Sequence, residues 1–230
     1  MLTADVDLSF DAAVIQAAEI IQADDPREIL AVLFAESSVM PTAVHAEPGL
    51  HCYGINQFCD PPTFKLAVTD QTPGSYLALP ASVQLLRYVV PFWNGARTRH
   101  GPHVTRNARN LYWLNFLPST VKPDAPDDYR IPGSRAAALG NPDLAEGKDY
   151  VTPGDLSRFL VKRQRVEPGR WNELLDRVER AMGLARIDPK GTLFDPEGGQ
   201  FFAATKPGLG KALGLAMLGG AAYFTWRALT

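Results

Sequence analysis

The chain has 230 residues, 46% of them apolar and 21% charged, with a net charge of −2. That length holds one sizeable core, or one core and a small appendage, and the near-neutral balance gives no reason to expect nucleic acid as the main partner. Two cysteines exclude a disulfide-framework fold, and the opening MLTADVDLSFDAA lacks the basic and apolar regions of a signal peptide, so export by that route is not expected.

Residues 10–23 have helical spacing, with Ser9 or Asp11 at the start and Val14, Ala17, Ala18 and Ile21 on one face. Asp24-Asp25-Pro26 then signals a second helix over 26–37, a capping carboxylate followed by proline in the first turn. Residues 38–80 are rich in turn formers and predict loops with a short strand or hairpin near Tyr53–Phe58. A helix is expected over 81–93, ended or kinked by Pro91, and another over 105–117, stopped by Pro118. The Pro- and Gly-rich stretch Lys122–Gly154 is the best candidate boundary, followed by short helices over 153–162 and 168–182. Residues 183–207 are irregular. The expected class is mainly α, with at most a short β-hairpin, and the expected division is 1–122, an accessory helical region at 123–207, and a C-terminal apolar helix at 208–230.

Charge is unevenly spread. Residues 1–28 carry Asp5, Asp7, Asp11, Glu19, Asp24, Asp25 and Glu28 against Arg27, whereas 97–109 carry Arg97, Arg99, His100, His103, Arg106 and Arg109 and no acid. Such a basic run reads first as a solvated loop or a packing face for another subunit, and second as a surface for phosphate-bearing polymer. Ala212–Trp226 is uncharged between Lys211 and Arg227. It is shorter than the roughly 20 apolar residues of a full membrane span, although the flanking cations could snorkel. Membrane insertion and burial in an assembly both stand.

Glu36 follows Ile29, Val32 and Leu33 by seven, four and three residues, which puts a carboxylate on an apolar helix face. Burial there disfavours the charged form and raises the pKa, as a general acid at neutral pH requires. Glu36 also opens ESSVMPTAVHAEPGLHCYGINQF. Glu36, Ser37, Val39, Pro41 and Ala43, followed by Gly54-Ile55-Asn56-Gln57, resemble the ordered signature of the lysozyme-like lytic transglycosylases. Asn56 departs from the apolar residue usual there, and Glu47–His51 from a small Ser-x-x-Gly-Ala turn. Residues 79–93, 109–121 and, more loosely, 141–160 resemble segments of phage-associated members.

The resemblance implies a lysozyme-like α-helical domain that cleaves the β-1,4 bond between N-acetylmuramic acid and N-acetylglucosamine with formation of a 1,6-anhydro ring. It implies Glu36 as the catalytic residue, Ser37 orienting it by a hydrogen bond, and Gln57, with Tyr53 and Asn56, contacting the sugars. Tyr112 stands where the family often has a tyrosine touching the acid, and also reads as plain core packing. No cofactor is expected, and the broken Asp series at Asn141, Asp143 and Asp149 predicts no metal. The expected partners are peptidoglycan strands and virion or tail proteins, with membrane contact through 208–230 and no specific nucleic acid. The expected place of action is the host periplasm or cell wall, reached from a virion. A non-catalytic virion protein and a hydrolysing muramidase are the alternatives.

Cys52 and Cys59 flank the Gly54–Gln57 tetrad. With His45, His51 and Asp60 they offer zinc ligands, but at a spacing unlike a zinc knuckle. A disulfide clamping the tetrad, or two free thiols in a reducing compartment, are the other readings.

Overall fold

The computed structural model describes residues 8–47, 49–60 and 63–183. Helix α1 (Phe10–Ile21) begins where Ser9 Oγ accepts the Ala12 N–H at 3.3 Å. Helix α2 (Pro26–Ser37) begins where Asp25 accepts the Arg27 N–H at 2.8 Å, with Pro26 at the first position. Seven consecutive residues of α2, Ile29 to Ala35, are buried. A helix apolar all round belongs in the middle of a protein, and α1, α7 and α10 pack around it.

Three short strands follow α2: β1 (Val44–Glu47), β2 (Leu50–Tyr53) and β3 (Phe58–Asp60). They form one antiparallel sheet in the order β1-β2-β3, with Val44 opposite Tyr53 and Cys52 opposite Cys59. This corrects the expectation of at most one hairpin. Every residue of β1 is exposed, so the strand carries no apolar alternation by which a sequence would show it.

Short helices α3 (Thr63–Ala67) and α4 (Pro73–Leu77) lead to α5 (Ala81–Gln84). A π-helical turn, Leu85–Val89, joins α5 to α6 (Val90–His100). Pro91 therefore neither ends the helix nor stops it near residue 93. It falls in the first turn of α6, directly after the π turn, where a missing N–H is tolerated. Helix α7 (Ala108–Phe116) starts at Asn107, whose side chain accepts the Asn110 N–H at 3.0 Å.

The basic run meets the acidic one. Arg106 pairs with Asp24 at 3.8 Å, Arg97 donates to Gln22, and Glu28 Oε2 accepts the Ala108 N–H at 2.7 Å. These contacts seat part of the 97–109 run on the chain's own N-terminal helices.

The Pro- and Gly-rich stretch contains α8 (Arg135–Gly140) and α9 (Pro142–Ala145). Ala125, Ile131, Ala138, Leu144, Val151 and Leu156 close a second apolar cluster on Trp113. Helix α10 (Pro153–Val166) then starts with a capping box, Thr152 to Asp155, and Asp155 also binds Lys148 at 2.6 Å. Helix α10 packs on α2 and α7. Helix α11 (Pro168–Ala181) sets Trp171 edge-on to Phe34 of α2 at 5.3 Å, and Arg177 pairs with Asp11 at 3.0 Å. Leu8–Val178 form one compact unit. Among the described residues no helix is long and apolar enough to cross a membrane. The expected C-terminal apolar helix, 208–230, lies outside the described residues.

Cys52 and Cys59 are joined as a disulfide across β2 and β3. The zinc and free-thiol readings fall, since each sulfur is bonded to the other. Closing so short a loop is worth about 2–3 kcal/mol in the chain-entropy picture. The expected result is a lower urea midpoint for the Cys52→Ser/Cys59→Ser double variant, matched by wild type unfolded with reductant present. Equal midpoints with and without reductant would remove the clamp.

Candidate active site

Helix α2 ends one residue after Glu36. Ser38 and Val39 both take positive φ, 53° and 62°, and turn the chain back under the helix. Left-handed backbone is uncommon for a β-branched residue such as Val39, and its burial at 4% exposure helps hold it there. Glu36 thus stands at a helix end beside the returning chain, with part of its residue surface open and its carboxyl surrounded by protein.

That surround has a chemical effect. Burial raises the Glu36 pKa to about 7, even though the hydrogen bond from Asn115 and the charge of Arg163 pull it down. Asn115 is the residue that holds the acid. Its Nδ2 donates to Glu36 Oε1 at 3.0 Å and to Asn56 Oδ1 at 2.9 Å, while its Oδ1 accepts from Trp93 Nε1 at 2.9 Å and from Asn56 Nδ2 at 3.2 Å. An indole N–H only donates. Trp93 therefore fixes which side of the amide is oxygen, and the NH2 must face Glu36.

The tetrad is fastened to the same helix end. Ser37 Oγ donates to the Ile55 carbonyl at 3.0 Å, so Ser37 positions the turn and not the Glu36 carboxyl itself. Asn115 makes the contact to the acid that the sequence assigns to Ser37. Gln84 holds the other side: its Oε1 accepts the Ile55 N–H at 3.0 Å, and its Nε2 lies 2.9 Å from the Pro41 carbonyl. Gly54 has φ +75°, and a Cβ there would stand 2.4 Å from both Gln84 Oε1 and Tyr76 Cε1. Only glycine lets this turn close on Gln84.

The structure brings together Glu36, Ser37, Asn56 and Tyr112. Tyr112 is held far above the ordinary phenol pKa by burial and then by the neighbouring Glu36 charge, and its ring stacks on Phe159 of α10 at 5.6 Å. Both readings of Tyr112 therefore meet in one residue, packed and next to the acid. Gln57 is turned back on its own loop, its Nε2 donating to the Gly54 carbonyl at 2.7 Å. Tyr53 stacks with His51 at 6.4 Å and meets Phe64 edge-on at 5.2 Å. Of the next three acids after α2, Glu47 bonds to His45 at 2.9 Å, Asp60 pairs with Lys65, and Asp70 pairs with Arg87 and accepts from Tyr88. Among the described residues no group of three His, Cys, Asp or Glu side chains could hold a metal.

Sequence reasoning missed Asn115, Trp93, Gln84 and Arg163. The one signal for Asn115 was Asn56, since an amide at an apolar position of a buried turn needs a partner. No protein-family model, curated protein or solved structure matches the chain.

Proposed function

We propose that the chain is a peptidoglycan lytic transglycosylase with a lysozyme-like catalytic domain. The observation that carries this reading is Glu36, a carboxyl that is substantially protonated at neutral pH and is held by Asn115 beside the tetrad turn. Protonated, Glu36 gives its proton to the glycosidic oxygen as the bond from the muramoyl C1 to the leaving sugar breaks. The resulting carboxylate takes the proton of the muramoyl 6-hydroxyl while that oxygen bonds to C1. The products are a free 4-hydroxyl and a 1,6-anhydro ring, and Glu36 is protonated again. One carboxyl serves both steps because the nucleophile is part of the substrate, unlike the usual paired-carboxylate glycosidase. The engagement of Asp60 and Asp70 in other ion pairs favours this one-carboxyl chemistry over a hydrolysing muramidase.

Association with a virion and action in the host periplasm or wall belong to the same proposal and rest on the phage-like segments of the sequence. The test is a digest of purified sacculi examined by mass spectrometry. Anhydro-muramoyl ends are expected. Reducing ends would replace the lyase with a hydrolase, and no release would leave the non-catalytic virion protein.

A further inference from the structure

Helix α10 contributes more than packing to the neighbourhood of Glu36. Phe159 lies on Tyr112, and Arg163, one turn later on the same helix face, stands close enough for its charge to act on both Glu36 and Tyr112. Its guanidinium is anchored but unsatisfied. Among the described residues Nε is buried with no hydrogen-bond partner, and Nη2 lies 4.0 Å from Glu167 Oε1, too far for a hydrogen bond. The side chain remains 31% exposed, so the Nη end of the fork is open to an incoming group.

A cation in this position needs a reason. It stabilises the Glu36 carboxylate and so works against the protonated form that the first step requires. The last turn of α10 gains from a cation, but that gain does not require the guanidinium to stand beside Glu36 and Tyr112. An arginine fork whose Nε has no hydrogen-bond partner, and whose ion pair with Glu167 is long at 4.0 Å, suits a planar, two-oxygen anion from outside the chain. A muramoyl sugar differs from its glucosamine neighbour by a lactyl arm. That arm carries a carboxylate either directly, where the peptide has been removed, or through the peptide stem.

We propose that Arg163 binds a carboxylate on the muramoyl side of the substrate, so that α10 supplies the site's means of telling muramoyl from glucosamine residues. This inference rests on the peptidoglycan substrate proposed above.

The full chain is compared with its Arg163→Gln and Arg163→Lys variants on three substrates: intact sacculi, sacculi whose carboxylates are amidated with methylamine, and amidase-stripped strands with free lactyl groups. At pH 5, where Glu36 is protonated with or without the arginine, Arg163→Gln should raise the apparent KM on intact sacculi about tenfold, the equivalent of one charge-assisted hydrogen bond, with little change in kcat. Arg163→Lys should recover part of it. On amidated sacculi the wild type and Arg163→Gln should become equal. The lactyl carboxyl is tied up as an amide in intact sacculi, so a gap there that vanishes on stripped strands assigns a stem carboxylate, whereas a gap on both shows that Arg163 takes a stem carboxylate and, once the stem is removed, the freed lactyl carboxylate. A fall in kcat alone, a rise in activity on removing the arginine, or an undiminished gap on amidated substrate would overturn the proposal. Co-sedimentation with sacculi, in a Glu36→Gln background, separates this failure from that of the enzyme reading. A chain that releases no fragments can still show carboxylate-dependent binding through Arg163, and binding that ignores both the arginine and the amidation ends the proposal whatever the activity.

Discussion

Glu36→Gln is expected to abolish release of glycan fragments and, in the same molecule, to stabilise the fold at pH 8. The first effect follows from removing the proton donor and acceptor, which costs a general acid–base enzyme about 10²–10⁴ in rate. The second follows from linkage. The Glu36 carboxyl has a pKa of about 7 when folded against an ordinary 4.5, chiefly through burial. Below pH 4.5 both states hold the proton and the group is neutral to stability. As pH rises from 4.5 to 7 the unfolded chain releases its proton first, so the wild type loses stability through that window and keeps the full loss above it. Glutamine has no proton to lose. The variant's advantage should therefore be near zero at pH 4 and reach roughly 3 kcal/mol at pH 8. Urea midpoints at the two pH values measure it. An advantage of the same size at both would show that Glu36 is not the perturbed group.

The second large effect is expected at Asn115. Asn115→Leu keeps the volume but removes the donor from Glu36 and leaves the Trp93 indole N–H and the Asn56 amide without their partner. Each buried polar group so stranded costs about 1–3 kcal/mol, which should appear as a lower melting temperature. Activity should fall by about 10²-fold as the acid loses its fixed orientation. The decisive reading is the pH profile. The Asn115 hydrogen bond lowers the Glu36 pKa, so its loss moves the pKa up, and the alkaline limb of kcat should shift above pH 7. Asn56→Leu leaves Asn115 its bonds to Trp93 and Glu36 and should leave that limb in place. If both variants lose rate with the limb unmoved, Asn115 is only a packing residue.

What the sequence discloses about this fold is what local chemistry controls. Ser9 and Asp25-Pro26 announce their helices because caps act within one turn. Cys52 and Cys59 are legible as a clamp because they bracket a short irregular segment. Gly54 is legible through its motif, although its close approach to Gln84 is not. Pro91 is legible in part: the regular α-helix is interrupted just before it by the π turn, but the chain stays helical past a residue that ordinarily ends a helix. Strand β1 leaves no trace because all of it faces solvent. Asn115 is hidden for a different reason. Inside LYWLNF it resembles any polar residue on a helix surface, and only the folded contact with Asn56, Trp93 and Glu36 gives it a task. The raised pKa of Glu36 follows from helical spacing, but the cation that tempers it arrives from a region the sequence marks off as accessory.

The enclosure of α2 has a consequence in time. The acid's helix is completed early in synthesis, yet Tyr112, Phe159, Arg163 and Trp171, which surround it, all follow much later in the chain. Contacts of such sequence separation form late, because loop closure must precede the gain from packing. Before α7 and α10 dock, Glu36 lacks Asn115 and Arg163 and much of the burial that raises its pKa. The growing chain thus carries Glu36 and the Gly54–Gln57 turn well before it carries the surroundings that raise the carboxyl's pKa.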